Sequence, residues 1–290
     1  MCYNSDITLF RNEIMKAENA FKETEFFSAD YFPDIHELNI ISGGCRLYGY
    51  LLTPDKRNVK PYPTVIMSHG FPGVTTNNDL ELALMRMGCV VIHMNHRGAW
   101  GSEGNYLFTN LKDDLIAIAK WAHNPAIAEQ YDIDTDNIFL IGHSMGGQTV
   151  LNAAKELDFI KGVAALAPYD IGAAFRYKLE KDLFLMIETE GQCLKMNSAS
   201  EVFENALHNC QELGVCYNYE NLLHHNVLLV EAKFDTIAPP DKMLKPLSDR
   251  LNAEGSRCEY AAISANHSFI GQRMELTKVV GEWIERTISV

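Results

Sequence analysis

FLIGHSMGGQTV, from Phe139 to Val150, begins as an apolar run of the kind that builds a buried strand and ends in the spacing of a helix. Between the two, Gly142-His143-Ser144-Met145-Gly146 sets one hydroxyl between two glycines. A sharp strand-to-helix turn holds its middle residue in strained geometry, and bulky neighbours would clash there. The helix that follows points its N-terminus at the same spot and favours negative charge there. Ser144 is thus a candidate nucleophile, but a serine does no chemistry alone. Its meaning rests on what the chain brings to it.

Outward from this turn the same rhythm repeats. TVIMS, CVVIHMN, NIFLIG, GVAALAP and NVLLVEAKF are short apolar runs, separated by the helical patterns LELALMRMG, DDLIAIAKWA and GGQTVLNAAKEL. After NVLLVEAKF come a helix near DKMLKPLSDRLNAEG, the strand CEYAAI and a terminal helix to Val290. Wholly apolar strands alternating with amphipathic helices predict a doubly wound, mostly parallel α/β sheet with helices on both faces. Upstream, LNIIS and CRLYGYLLTP flank Gly43-Gly44 and predict a hairpin.

Two segments stand outside the rhythm. Residues 1–36 read as an N-terminal extension, with an amphipathic helix over Ile7–Phe27 by pattern. Three roles are open to it: packing over the sheet, covering the pocket mouth, or making a homodimer contact. Residues 37–290 form the main domain. Within it, residues 171–225 look helical and carry no strand to extend the sheet, which predicts an inserted cap.

Composition narrows the partners. The 290 residues are 47% hydrophobic and 22% charged, as expected of a globular protein. A net charge of −13 argues against nucleic acid or an acidic membrane as partner, and no run approaches the roughly 20 apolar residues of a membrane span. The N-terminus has no apolar signal region, and the seven cysteines include no C-x-x-C pair. These features point to reduced thiols in a cytoplasmic protein. No H-E-x-x-H motif or clustered ligand spacing is present, so neither metal nor cofactor is expected.

In doubly wound sheets reactive groups gather at the carboxyl ends of the strands. Ser144 needs a base. Of ten histidines, His267 in ISANHSF follows the last apolar strand and is the candidate; His69 and His96 also follow strands, and His143 lies inside the turn. The base needs a carboxylate to fix its tautomer. Asp235 follows NVLLVEAKF, with Glu231 and Asp170 as rivals. For an oxyanion, the candidate donors are the N–H of Met145 and the N–H of Phe71 in SHGFPG.

With these motifs assembled, the chain resembles the α/β-hydrolase fold family, in which nucleophile, acid and histidine follow the order Ser144, Asp235, His267. The likeness runs from about Glu37 to Val290 and rests on SHGFPG, NHRGAWGSEG, GHSMGG, and FDTIAPP with NHSF. NHRGAWGSEG is similar to the R-G-x-G-x-S-x-G loop of the prolyl-oligopeptidase, dienelactone-hydrolase and feruloyl-esterase branches, with Ala99-Trp100 adding a residue. In that setting Arg97 braces the loop. Prolyl oligopeptidases in their usual form carry a β-propeller upstream, and only about 36 residues precede the first strand here. The resemblance implies a serine hydrolase cleaving carboxylic esters of small to medium acyl groups through an acyl-enzyme. A small aminopeptidase, an acyl-thioester hydrolase and a non-catalytic ligand-binding relative are the alternatives. Trp100, His143, Phe175 and Met186 are candidate pocket residues, and Glu188 and Glu190 are weighed between binding an amine and facing solvent.

Overall fold

The hairpin around Gly43-Gly44 forms as expected: both glycines have positive φ, 53° and 76°, and join β1 (Asp34–Ser42) to β2 (Cys45–Thr53) in antiparallel register. In the computed structural model, which describes residues 15–23 and 29–288, this hairpin is one edge of an eight-stranded sheet. The other strands are β3 (Tyr62–Ser68), β4 (Val90–Met94), β5 (Ile133–His143), β6 (Ile160–Leu166), β7 (Asn226–Ala232) and β8 (Cys258–Ile263). Their order is β1-β2-β4-β3-β5-β6-β7-β8, and every pair from β4 to β8 is parallel.

All seven residues of β3 are buried, because the strand is central and covered on both faces. Alternate side chains feed two cores. Ile66 and Leu140 enter one with Leu151 and Leu247; Val65, Phe139 and Ile141 enter the other with Leu84 and Trp283. The first face is covered by α2 (Phe108–Ala122), α4 (Met145–Ala154) and α10 (Lys245–Ala253). The second is covered by α1 (Asn78–Met87) and α11 (Arg273–Ile288). The fold is the α/β-hydrolase fold.

Three local differences from the sequence reading have physical causes. An additional helix, α3 (Pro125–Tyr131), follows α2; the Asn124 side chain accepts from Ala126 N at 3.0 Å, and Pro125 occupies the first turn. The single helix expected near Asp241 is split into α9 (Pro240–Met243) and α10, since Pro246 has no N–H to continue the ladder. Of the helix expected over Ile7–Phe27, residues 7–14 and 24–27 lie outside the described residues. Between them Ala17–Phe21 form a 3-10 turn that buries Ala17 and Ala20 against the second core.

The insertion between β6 and β7 is helical, as expected. It contains α5 (Ile171–Arg176), α6 (Glu180–Glu190), α7 (Ala199–His208) and α8 (Cys210–Leu213). Leu183, Ile187, Val202 and Ala206 build a third core with Tyr106, Phe108 and Met145 of the body. The cap is therefore packed on the body through its own apolar face. No helix among the described residues is long and apolar enough to cross a membrane.

Candidate active site

Ser144 sits between β5 and α4 with φ 57° and ψ −123°, a strained backbone for a non-glycine residue. The flanking glycines are required by contact. A Cβ on Gly142 would meet the Gly146 carbonyl at 2.1 Å, and one on Gly146 would meet the Ser68 carbonyl at 2.1 Å. The turn is locked further by backbone bonds: Ser144 N donates to Leu166 O at 2.9 Å, and Tyr169 N donates to Ser144 O at 3.0 Å.

From this turn the Ser144 hydroxyl reaches His267. Its Oγ lies 2.8 Å from Nε2 of His267, whose Nδ1 lies 2.6 Å from Oδ2 of Asp235. The two Asp235 oxygens are used differently. Oδ1 accepts from Ile237 N at 2.9 Å and Ala238 N at 2.8 Å, which leaves Oδ2 for the imidazole. All three side chains are shielded from bulk water, where such contacts are strongest. The hydrogen bonds fix the imidazole with its proton on Nδ1 and its lone pair on Nε2, toward the hydroxyl. That is the arrangement needed to take a proton from serine.

The rival residues are accounted for by other bonds. His69 is buried; its Nδ1 donates to Gly70 O at 2.7 Å and its Nε2 accepts from His96 N at 3.3 Å. Burial first, and the neighbouring His96, push its pKa down to about 3, so the ring is neutral. His96 shares a 2.9 Å bond with Ser68 Oγ. Glu231 accepts from the Tyr260 hydroxyl, and Asp170 accepts from Val215 N at 3.3 Å.

The loop after β3 runs against the nucleophile. A Cβ on Gly70 would sit 3.1 Å from Ser144 Cβ and 3.7 Å from its Oγ, so Phe71 begins directly beside the hydroxyl. The Phe71 ring packs against Tyr106 and Phe108 at centroid distances of 5.6 and 5.8 Å. Met145 is the first residue of α4, immediately after Ser144. Arg97 braces the neighbouring loop: its Nε donates to the buried Asp114 at 2.6 Å and its Nη2 donates to Asn110 O at 3.2 Å. Burial raises the Asp114 pKa, but nearby His96 and the bond from Arg97 N outweigh it and hold the carboxyl below its usual range.

The candidate pocket residues do not share one place. His143 is buried beneath the histidine loop, and its Nε2 donates to the His267 carbonyl at 2.7 Å. It faces the body rather than open space, so its place is a support and not a pocket wall. Phe175 and Met186 are partly buried in the cap core, with the Phe175 ring tilted against Phe203 at a centroid distance of 5.8 Å. Glu188 and Glu190 are exposed.

Trp100 donates its indole N–H to Pro72 O at 2.8 Å and lines a pocket of about 400 Å³ behind the His69–Gly73 loop. Neither Ser144 nor His267 is in that lining. Its floor is a network that sequence reasoning missed. Glu81, buried on α1, accepts from the Tyr50 hydroxyl at 2.5 Å and pairs with His93 Nδ1 at 2.7 Å. Burial opposes charge on His93, but Glu81 outweighs it and raises the imidazole pKa above its ordinary value. The signal was a glutamate on the apolar face of LELALMRMG, followed by a histidine within the apolar run CVVIHMN.

With fold and geometry together, the chain is a serine hydrolase of the α/β-hydrolase fold. A family model described as the prolyl oligopeptidase family matches residues 76–289, and the chain belongs to that family. No curated protein sequence matches it. Among solved structures it is similar to Est1E from Butyrivibrio proteoclasticus with ferulic acid bound, at 20% identity and TM-score 0.62, covering 87% of this chain and 100% of that one. It is also similar to brefeldin A esterase, described as a bacterial homologue of human hormone-sensitive lipase, at 15% identity and TM-score 0.66, covering 97% and 84%. A third similar structure is the Pyrococcus horikoshii acylaminoacyl peptidase, at 16% identity and TM-score 0.68, covering 88% and 42%.

Proposed function

We propose that the protein is a carboxylesterase-type hydrolase acting on esters of small to medium acyl groups, with Ser144, His267 and Asp235 as its catalytic residues. The observation that carries this reading is the continuous chain Ser144 Oγ–His267 Nε2 and Nδ1–Asp235 Oδ2, at 2.8 and 2.6 Å. His267 takes the Ser144 proton as Oγ attacks the ester carbonyl carbon. The N–H groups of Phe71 and Met145 bind the oxyanion, each worth a few kcal/mol on the order of 10²–10³ in rate. The imidazolium then gives its proton to the leaving alcohol. A water molecule, deprotonated by the same imidazole, attacks the acyl-enzyme and releases the acid and the free serine.

Esters are favoured over peptides because the esterase structures named above are covered over most or all of their length, whereas the peptidase is covered over 42%. Family membership supports amide cleavage as the second reading. Turnover of p-nitrophenyl acetate and butyrate, set beside aminoacyl p-nitroanilides and an acyl-CoA, separates the readings. Ser144→Ala is expected to abolish the ester turnover and labelling by a fluorophosphonate probe. Full activity in that variant would overturn the assignment.

A further inference from the structure

Helix α4 does more than present Ser144. Its core face is apolar, yet Gln148, Asn152 and Lys155 form a polar stripe at i, i+4 and i+7 along one side. Each of the three is spent on the backbone of the cap insertion. Gln148 Oε1 accepts from Ile171 N at 2.7 Å, the first residue of the outgoing arm. Asn152 Nδ2 donates to Leu213 O at 2.8 Å on the returning arm. Lys155 Nζ donates to Val215 O at 2.9 Å and Tyr217 O at 2.6 Å, and its own carbonyl accepts from Asn221 Nδ2 at 3.3 Å.

The two arms are also joined to each other. Asp170 Oδ1 accepts from Val215 N at 3.3 Å. The chains cross so closely that a Cβ on Gly172 would lie 2.7 Å from Gly214 Cα and 2.8 Å from the Cys210 carbonyl. The far end of the cap is pinned separately, where Lys195 N donates to Gly98 O at 2.7 Å and Tyr106 N donates to Lys195 O at 2.8 Å. Between these anchor points the cap lies on the Phe71 ring: a Cβ on Gly191 would be 3.0 Å from Phe71 Cζ. Wherever the arms sit, the cap's height above the loop beside Ser144 follows.

We infer that Lys155 is a positioning residue that clamps the returning arm of the cap to the nucleophile helix and, through the Val215–Asp170 bond, steadies the outgoing arm, so that the cap's seat determines how longer acyl groups bind. The selectivity part rests on the esterase reading above; the clamp itself does not. An ammonium at the helix C-terminus suits this role, since it supplies several donors at once to carbonyls of the returning arm.

The test compares the full-length wild type with Lys155→Met, which keeps the aliphatic stem and removes the donors. By hydrogen exchange, segments 171–176 and 210–217 are expected to exchange about tenfold faster or more in the variant, with β5 unchanged. For p-nitrophenyl acetate, kcat/KM stays within about twofold, whereas KM for p-nitrophenyl octanoate rises at least about fivefold with kcat less affected. Lys155→Arg restores part of both. Unchanged exchange in the two arms, or an equal loss on both esters, overturns the inference. If the wild type hydrolyses neither ester, the esterase reading fails while exchange still decides the clamp. Should Lys155→Met not fold, Asn152→Ala removes the Leu213 anchor and the 2.8 Å bond that Asn152 Oδ1 accepts from Lys155 Nζ, and unchanged exchange over 210–213 in that variant is the overturning result.

Discussion

The Nε2–H of His143 donates to the carbonyl oxygen of His267 at 2.7 Å, so the residue before the nucleophile holds up the loop that carries its base. Burial first, and the neighbouring His267, push the His143 pKa down to about 3, so it remains a neutral donor throughout the working range. His143→Ala leaves a buried carbonyl unpaired and a void beneath the ring, at a cost of about 1–3 kcal/mol. A displacement of about 1 Å at His267 is enough to cost about 10²-fold in rate. We expect kcat to fall 10–100-fold on the order of that estimate, with KM little changed, and His143→Gln to retain more activity through its amide donor. Steady-state kinetics of the two variants decide it.

Tyr50→Phe addresses the network behind the His69–Gly73 loop. The substitution keeps the ring stacked on His93, 4.8 Å away, and removes the hydroxyl that donates to Glu81 Oε2 and, at 3.5 Å, to Asn78 Oδ1. A buried carboxylate oxygen then lacks its partner, and the expected loss is about 1–3 kcal/mol of stability. Ester turnover should change far less than in His143→Ala, because no member of the Ser144–His267–Asp235 chain is touched. Chemical denaturation and kinetics on one preparation test both statements.

How much of this was legible in the sequence follows from how local each cause is. The parallel strands were readable because β3 is buried along its whole length and its neighbours carry short apolar runs, a pattern that a sheet covered on both faces tolerates. That Ser144, Asp235 and His267 come together was readable because each follows the carboxyl end of a strand, and the sheet brings strand ends together. The place of His143 was not, since a histidine in a turn can face either way and the deciding acceptor lies 124 residues away. The Glu81–His93 pair and the polar stripe of α4 join elements whose registers come only from packing. Pro246 was visible all along and should have split the last crossover helix.

The pH dependence of stability combines opposing groups. His69 and His143 are lowered to about 3 in the folded protein, so between that pH and the ordinary value of 6.5 the unfolded chain binds more protons. Their contribution is complete above 6.5 and is lost as pH falls through this window, at about 1.4 kcal/mol per unit for each. Asp170 acts in the other direction. Burial raises it to about 6 against backbone bonds that lower it, so the folded state binds the extra proton between 3.8 and 6. Asp170→Asn is therefore expected to gain up to about 3 kcal/mol over wild type above pH 6, a difference that fades toward pH 4. Urea midpoints across pH 4–8 measure it; a constant offset would refute it.

Asp235→Asn gives the sharpest test of the proton arrangement, because the two oxygens of Asp235 are not equivalent. Oδ1 is held by the N–H groups of Ile237 and Ala238, so an asparagine must place its carbonyl oxygen there. Its amide nitrogen then faces His267 Nδ1, where two donors cannot meet. The imidazole responds by moving its proton to Nε2, which faces the Ser144 hydroxyl and can no longer accept from it. The fold has little reason to change, since size and backbone bonds are kept. We expect kcat to drop by about 10³–10⁴ while Tm moves only a few degrees. Activity within about tenfold of wild type would mean that another residue orients His267.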